Sequence, residues 1–329
     1  MSGEFDLIAN YFNWPTDDRS VQLGVGDDAA VLTITPSHEL VISVDTLVSG
    51  VHYPIDTSAY DIAYKALIVN LSDMAAMGAQ PKWFTLALTL PSYDKAWLEG
   101  FSLGLKHAAS EYKVSLIGGD TTRGASTISI QIMGEVAAAT ALKRSTAKVG
   151  DDLYITNTLG DAAAGLLIHQ DAQTANTSKA LSEAQAYCLA RLNRPTARVA
   201  ESQIIRQYAT ACMDISDGLL QDLSHILNAS ALSATVNLSS FALSKQLISL
   251  YPPEKALQLA LSGGDDYELL FSAPKHLKKQ LTKAMKKSDM AFQCIGELTN
   301  NTSDGTSRGV SEIKDEQGHS LSIDGFNHF

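Results

Sequence analysis

Basic charge, cysteine and long apolar runs are all scarce in this 329-residue chain. Lys and Arg number 25 against 36 Asp and Glu, a formal charge of −11. A nucleic-acid surface would show a basic stripe, so no nucleic-acid partner is expected. The three cysteines, Cys188, Cys212 and Cys294, are scattered and odd in number. They form no disulfide framework, and a reducing cytoplasm is expected, each being read as a small buried apolar residue. No apolar stretch approaches the length of a membrane span, and Met1–Asp6 has neither a basic n-region nor an apolar core. Neither membrane attachment nor a secretory signal is therefore expected. Catalytic signatures are missing as well. There is no Gly-x-x-x-x-Gly-Lys-Ser/Thr phosphate loop, no protein-kinase catalytic loop, no His/Cys spacing for zinc, and no convincing Ser/His/Asp or Cys/His nucleophile.

What is present is acid beside glycine. Gly24-Val25-Gly26-Asp27-Asp28-Ala29-Ala30 runs straight into the apolar stretch Val31–Ile34. Adjacent carboxylates repel one another and lose solvation if buried, unless a cation sits between them. The theme returns along the chain. A helix over residues 5–12 is followed by strands at Val31–Thr35 and Leu40–Val44, the second ending at Asp45. Residues 58–77 read as a helix, capped by Ser58 and ended by Gly78, and apolar almost all round from Ala66 onward. Asn70 and Asp73 are three apart and share one face of it. A strand at Trp83–Leu90, a helix over 93–112, a short strand at Val114–Ile117 leading to Gly118-Gly119-Asp120, and a strand at Thr127–Val136 complete the first half. The domain boundary is placed near Ala139–Gly150, giving domains 1–140 and 141–329. The second half reads as a strand at Asp152–Thr156, helices from Gly160, over 178–192 and over 196–207, and a strand at Ala211–Met213. A helix then runs to Asn228, with strands at 233–238, 268–273, 291–297 and 309–313. The fold class is mixed α/β in two domains.

Singly, each acid has an ordinary explanation. Asp27 and Asp28 fit a solvated turn, Asp120 a strand end, and Asp214 and Ser216 the cap of the following helix. Asp73 resists this, because its helix offers little water and a buried Asp must be paired, hydrogen-bonded or metal-bound. Together, Asp28, Asp45, Asp73, Asp120, Asp214 and Asp217 make an all-oxygen set suited to Mg²⁺, which bridges carboxylates to substrate phosphates. The glycine turns at 118–119, 160 and 263–264 let backbone N–H groups approach phosphates. Phosphoryl transfer on a scaffold other than a phosphate loop is the chemistry expected.

The ordered set Gly3-Glu4-Phe5, Gly26–Ala30, Ser43–Val48 with Gly50-Val51-His52, Asn70–Ala79, Gly118–Thr122, Asp214–Leu219, Gly263–Leu269 and Gly325–Phe329 spans nearly the whole chain. It resembles the thiamine-monophosphate kinase family, within the aminoimidazole ribonucleotide synthetase superfamily. The resemblance implies ATP-dependent phosphorylation of thiamine phosphate to thiamine diphosphate, with ATP as co-substrate, several Mg²⁺ ions and stimulation by K⁺. It also implies a homodimer, whose amino-terminal sheets form a barrel between subunits, and a carboxy-terminal α/β sandwich. The amino-terminal domain would then bind ATP and metal and make the dimer. Carried over position by position, Asp28, Ser43, Asp45, Asp73, Asp120, Asp214 and Asp217 are metal ligands. Gly119, Asp120, Arg144 and Ser216 contact the nucleotide, and His52, Asp265 and Phe326 contact thiamine phosphate. The roles of Asp27 and Asp266 stay open. Two positions depart from the family pattern. Val44 precedes Asp45 where many relatives carry a hydroxyl, and Asp265 stands where Glu is as common, one methylene shorter and so reaching its substrate through water. The alternatives are another ATP-using member of the superfamily, a metal-dependent phosphohydrolase that uses water as acceptor, and a silent nucleotide-binding module.

Overall fold

A computed structural model describes residues 4–175, 180–301 and 312–322. The chain divides into two units, one of residues up to Met74 with Ala79–Thr140, the other of Ala75–Gly78 with residues from Ala141 onward.

In the first unit α1 (Glu4–Tyr11) precedes a two-stranded ribbon, β1 (Val21–Leu23) and β2 (Val31–Leu32). Then come β3 (His38–Val48), α2 (Ala59–Ala76), β4 (Gln80–Leu90), α3 (Lys95–Tyr112), β5 (Ser115–Arg123) and β6 (Thr127–Ala137). The four long strands make one sheet in the order β3-β6-β4-β5, with β4 and β5 parallel and the other pairs antiparallel. The crossover between the parallel pair is α3, which Asp94 caps by accepting the N–H of Trp97 at 3.1 Å. Helix α2 has so little polar surface because it is covered from Ile62 onward, with Ala66, Leu67, Ile68, Leu71 and Met74 fully buried. Helix α3 passes close to it. A Cβ on Gly104 would stand 2.2 Å from the Tyr60 carbonyl oxygen, so only glycine allows this approach.

Two strands outrun their sequence-based limits. β3 pairs with β6 at every residue from His38 to Val48, so Asp45 lies within the strand and not at its end. β5 pairs with β4 as far as Arg123, which puts Gly119 and Asp120 inside a strand. In both cases the neighbouring strand supplies backbone partners that override turn-forming residues. One face of the sheet lies under the β1–β2 ribbon. Val21, Ala30, Leu32 and Ile34 pack on Trp83, Ile117 and Met133, and the Trp83 indole N–H is shared between Asp18 Oδ2 (3.1 Å) and Ser20 Oγ (3.0 Å).

The second unit contains β7 (Asp151–Thr156), α4 (Asp161–Ala175), α5 (Glu183–Asn193), α6 (Val199–Ile205), β8 (Ala211–Ile215), α7 (Leu219–Ser230) and β9 (Leu232–Val236). It continues through α8 (Lys245–Leu250), α9 (Pro253–Ser262), β10 (Glu268–Pro274), α10 (Lys278–Lys287), β11 (Phe292–Asn300) and β12 (Ile313–Asp315). Its sheet runs β12-β9-β11-β7-β10-β8, antiparallel except between β12 and β9. Leu219, Leu223, Ile226 and Leu227 of α7 pack on Leu153, Ile155, Met213, Ile215 and Leu270 of that sheet. Helices α8, α9 and α10 have no counterpart in the sequence-based reading. α10 buries Leu281 and Met285, which stand one turn apart amid lysines and make a narrow apolar stripe of helical period. Helix α5 starts later than expected, at a capping box formed by Ser182 and Gln185. α6 is shorter than the expected 196–207, and much of the expected strand at 309–313 lies outside the described residues.

Gly104→Ala should destabilise the first unit by about 1–3 kcal/mol, because α2 and α3 must part to admit the methyl group. Urea unfolding of parent and variant measures it; an unchanged midpoint would mean that the helices do not pack at this distance.

Candidate active site

The first unit gathers part of the acidic set at the seam between β3 and α2. Side chains alternate along β3, so Ser43 and Asp45 share one face. The Ser43 hydroxyl donates to Asp73 Oδ2 at 2.5 Å, and the Asp45 N–H donates to Asn70 Oδ1 at 3.1 Å. Asn70 is wholly buried, and its amide donates back to the Ala66 carbonyl at 2.9 Å. The 70/73 spacing thus aims one side chain at the strand's backbone and the other at its hydroxyl. Asp73 is half-buried on a helix whose other residues from Ile62 to Ala76 are all buried. Nearby, the Val48 N–H donates to His52 Nδ1 at 3.0 Å, which in the neutral ring leaves the proton on Nε2. Buried Lys65 donates to the His52 carbonyl at 3.3 Å. Sequence reading missed Lys65, although it is the one Lys within α2 and so the visible exception to an apolar pattern.

A second group lines a pocket of about 380 Å³ in the same unit. Asp27 and Asp28 from the turn between β1 and β2, and Gly118, Gly119, Asp120 and Thr121 from β5, make its polar part. Ile8, Phe12, Leu86 and Leu116 are apolar walls. The Asp28 N–H donates to Asp27 Oδ1 at 2.8 Å, giving Asp27 a role in shaping the turn. Gly119 is required by contact: a Cβ there would lie 1.9 Å from the Leu86 carbonyl oxygen.

In the second unit Asp214 is buried near the end of β8, opposite Leu269, and Ser216 and Asp217 follow in the loop to α7. The ordinary alternative, that Asp214 and Ser216 cap that helix, does not hold. Its N-cap is Gly218, and a buried acid from inside the helix, Asp222, accepts the N–H groups of Ser216, Asp217 and Gly218. Burial, with the neighbouring charge of Asp214, pushes the Asp222 carboxyl up to about 8. The loop also meets the second Gly-Gly-Asp turn, where the Asp265 N–H donates to the Ser216 carbonyl at 2.8 Å. Asp265 holds φ +70° and Tyr267 φ +51°, and the Tyr267 hydroxyl donates to Asp265 Oδ1 at 3.1 Å. Such conformations cost about 1–3 kcal/mol each and persist where the surroundings impose them.

The surroundings are a buried ionic cluster beneath the turn. Glu268 is fully buried and accepts from Arg191 (2.8 Å), from Arg198 through both Nε and Nη2 (2.6 Å each), from Thr156 (2.6 Å) and from Asn157 (3.2 Å). Arg198 also binds Glu201 at 3.1 Å. Glu268 and Glu201 therefore balance both guanidinium charges, and Asp266 gains little by ionising. Burial pushes Asp266 up to about 8, against the pull of Arg191, and burial likewise raises Asp161, which accepts from Ser244 at 2.5 Å. Asp266 Oδ2 accepts the Gly160 N–H at 2.7 Å. That N–H is consumed inside the fold, as is the Gly263 N–H, which donates to the Leu259 carbonyl at 2.9 Å. Neither amide faces a phosphate as the sequence suggested. These glycines serve close packing, a Cβ on Gly160 falling 2.7 Å from the Ala260 nitrogen and one on Gly263 falling 2.3 Å from the Leu259 carbonyl oxygen.

Arg144 is exposed, with its carbonyl accepting from Ser230 at 2.8 Å. Phe326 lies outside the described residues. The expected metal ligands thus fall as Asp28, Ser43, Asp45, Asp73 and Asp120 in the first unit and Asp214 and Asp217 in the second. Among the described residues, no three His, Cys, Asp or Glu side chains are placed so that they could hold a metal ion. The donor set is nonetheless all oxygen, the chemistry a hard divalent cation takes.

Comparison with known proteins defines the class. Residues 26–136 match AIR synthase related protein, N-terminal domain, and residues 148–307 match AIR synthase related protein, C-terminal domain. The mixed α/β, two-domain architecture is that of the AIR synthase-related proteins. Among curated proteins, thiamine-monophosphate kinase of Escherichia coli K12 is 45% identical over 99% of this chain and 98% of its own length. Among solved structures, thiamine-monophosphate kinase from Stenotrophomonas maltophilia K279a is 40% identical, covers 93% of both chains and superposes with TM-score 0.83. AaThiL complexed with AMPPCP and TMP is 28% identical, covers 90% of this chain and 89% of its own, and gives TM-score 0.76. The chain belongs to the thiamine-monophosphate kinase family.

A carboxyl held above its unfolded value stabilises the fold fully below the unfolded pKa, and that contribution is lost as pH rises toward the folded value, here about 8 for Asp266. Asp266→Asn keeps an acceptor for Gly160 and cannot ionise. Its melting temperature relative to the parent should therefore climb from pH 5 to pH 8 and then level off. Scanning calorimetry at four pH values reads this, and a pH-independent difference would show Asp266 ionised throughout.

Proposed function

We propose that the chain transfers the γ-phosphoryl group of ATP to thiamine phosphate, giving thiamine diphosphate and ADP. The observation that carries this reading is full-length likeness to thiamine-monophosphate kinases, including a solved relative holding AMPPCP, an unreactive ATP analogue, together with TMP. The acceptor is a phosphate oxygen, ionised at neutral pH. The reaction needs no strong general base, in keeping with the missing nucleophile. The pocket beside β5 suits a nucleotide, with apolar walls for a base and the Gly118–Gly119 backbone for phosphates. Arg144 and Ser216 bind the nucleotide's polar groups. His52 offers an Nε2 proton to the substrate phosphate, and Asp265 and Phe326 contact thiamine phosphate. Asp28, Ser43, Asp45, Asp73, Asp120, Asp214 and Asp217 would hold Mg²⁺, which lowers repulsion between the two anions and stabilises charge moving toward the leaving group. Stimulation by K⁺ and a cytoplasmic location belong to the same reading.

The division of labour follows. Residues 1–140 bind ATP and metal and make a homodimer; residues 141–329 form the second α/β domain. Support for the dimer comes from edge strand β3, where Leu40, Ile42 and Val44 are 43%, 51% and 60% exposed along one face. A second copy covering that row removes it from water and closes the sheets into a barrel.

Purified protein with Mg²⁺, ATP and thiamine phosphate should release thiamine diphosphate and ADP in equal amounts, resolved by liquid chromatography. ATP consumption that ignores thiamine phosphate would favour the phosphohydrolase. Asp73→Asn should lower kcat at least about 100-fold with the fold retained, since a charge acting on the transition state is lost. Near-parental turnover across Mg²⁺ concentrations would remove Asp73 from the ligands. Val44→Asp should convert a dimer to a monomer in light scattering; a parent that is itself monomeric would refute the barrel.

A further inference from the structure

A helix begins with N–H groups that have no partner within it, normally met by a Ser, Thr, Asp or Asn side chain at the N-cap. Helix α7 begins after Gly218, which has no side chain and holds φ +119°. The amides at that N-cap and just before it are instead met from within the helix. Asp222, 2% exposed, turns one oxygen back over the helix start, and that Oδ2 accepts from Ser216 (3.0 Å), Asp217 (3.1 Å) and Gly218 (3.2 Å). Three successive amides are thereby aimed at one point, which sets the backbone of the loop that carries Ser216 and Asp217 and leaves Asp214. Other contacts define the loop from outside. Asp265 N–H donates to the Ser216 carbonyl at 2.8 Å, Tyr267 N–H donates to the Ile215 carbonyl at 2.9 Å, and the Gln221 amide donates to Asp217 Oδ2 at 3.3 Å. A Cβ on Gly218 would lie 2.9 Å from the Ser262 carbonyl, so the chain cannot reach the helix by a bulkier residue at this point.

We propose that Asp222 is a positioning residue for phosphoryl transfer: it fixes the Ser216–Gly218 backbone so that Asp214, Ser216 and Asp217 present their oxygens in one geometry to metal and nucleotide. This rests on the reading of those three residues given above. Groups that orient metal ligands without touching the ion change metal affinity about 10–100-fold when lost. Asp222 makes its contribution through hydrogen bonds to backbone, so an uncharged acceptor of the same shape should replace it.

The test compares Asp222→Ala, which removes the acceptor, with Asp222→Asn, which keeps one oxygen in place. Asp222→Ser, too short to reach three amides, stands in if the alanine variant does not fold. Hydrogen exchange followed by mass spectrometry should show residues 215–220 exchanging at least about 10-fold faster in the alanine variant, and near the parental rate in the asparagine variant. Calorimetric titration with MgCl₂ in the presence of an unreactive ATP analogue should show affinity weakened about 10-fold or more by alanine and largely kept by asparagine. The KM for thiamine phosphate should stay near the parental value in both while kcat falls in the alanine variant alone. A folded alanine variant with parental Mg²⁺ affinity and kcat overturns the proposal. So does an asparagine variant as impaired as alanine. A parent inactive on thiamine phosphate would instead overturn the functional reading, while exchange and Mg²⁺ titration would still decide whether Asp222 sets the loop.

Discussion

Two arginines close on one buried carboxylate, Glu268, and the second unit is arranged around that contact. Glu268 opens β10, Thr156 and Asn157 come from the end of β7, and Arg191 and Arg198 come from α5 and the approach to α6. A single side chain thus ties two strands and two helical segments together. Burying such a group is costly unless every lone pair is met, and here both oxygens are. Removing one partner from a buried pair of this kind costs about 3–5 kcal/mol, so the cluster is a constraint on the sequence more than a source of surplus stability. Immediately before Glu268 the chain makes the turn Gly263–Tyr267, with two non-glycine residues at positive φ. The ionic anchor at one end and Asp266 on the Gly160 N–H in the middle hold that turn in place.

The first unit solves a different problem with uncharged groups. Helix α2 has to be apolar to sit under a sheet, yet it must also carry Asp73 next to β3. Asn70 makes this affordable in structural terms by meeting the Asp45 N–H on the strand and the Ala66 carbonyl on its own helix. On the outer face the β1–β2 ribbon covers Trp83 and Met133 and hangs the Asp27-Asp28 turn beside the glycine pair of β5. Small residues set these approaches: Gly104 between two helices, Gly119 between two strands.

The two units handle acids in opposite ways. In the second, Asp222 and Asp266 are spent on backbone amides, and burial holds both above the usual carboxylate range. In the first, Asp28 and Asp120 stand exposed at the rim of a pocket. An acid beside glycine is therefore not one kind of object: Asp120 faces a cavity, whereas Asp266 completes a core.

What the linear order of residues determined was the list of acids, the apolar helix that carries Asp73, the α/β alternation and the family. Each of these depends on local spacing or on motifs that stand whole in the chain. Only the tertiary structure decided which acid serves which purpose. Gly160 reads as a phosphate turn until Asp266, more than a hundred residues on, takes its N–H. Ser216 fits a helix cap until Gly218 takes that position and Asp222 accepts the Ser216 N–H, and Asp45 reads as a strand end until β6 extends the pairing past it. Hydrogen-bond partners are chosen by proximity in the folded chain, and periodicity along the sequence carries no information about proximity between distant segments.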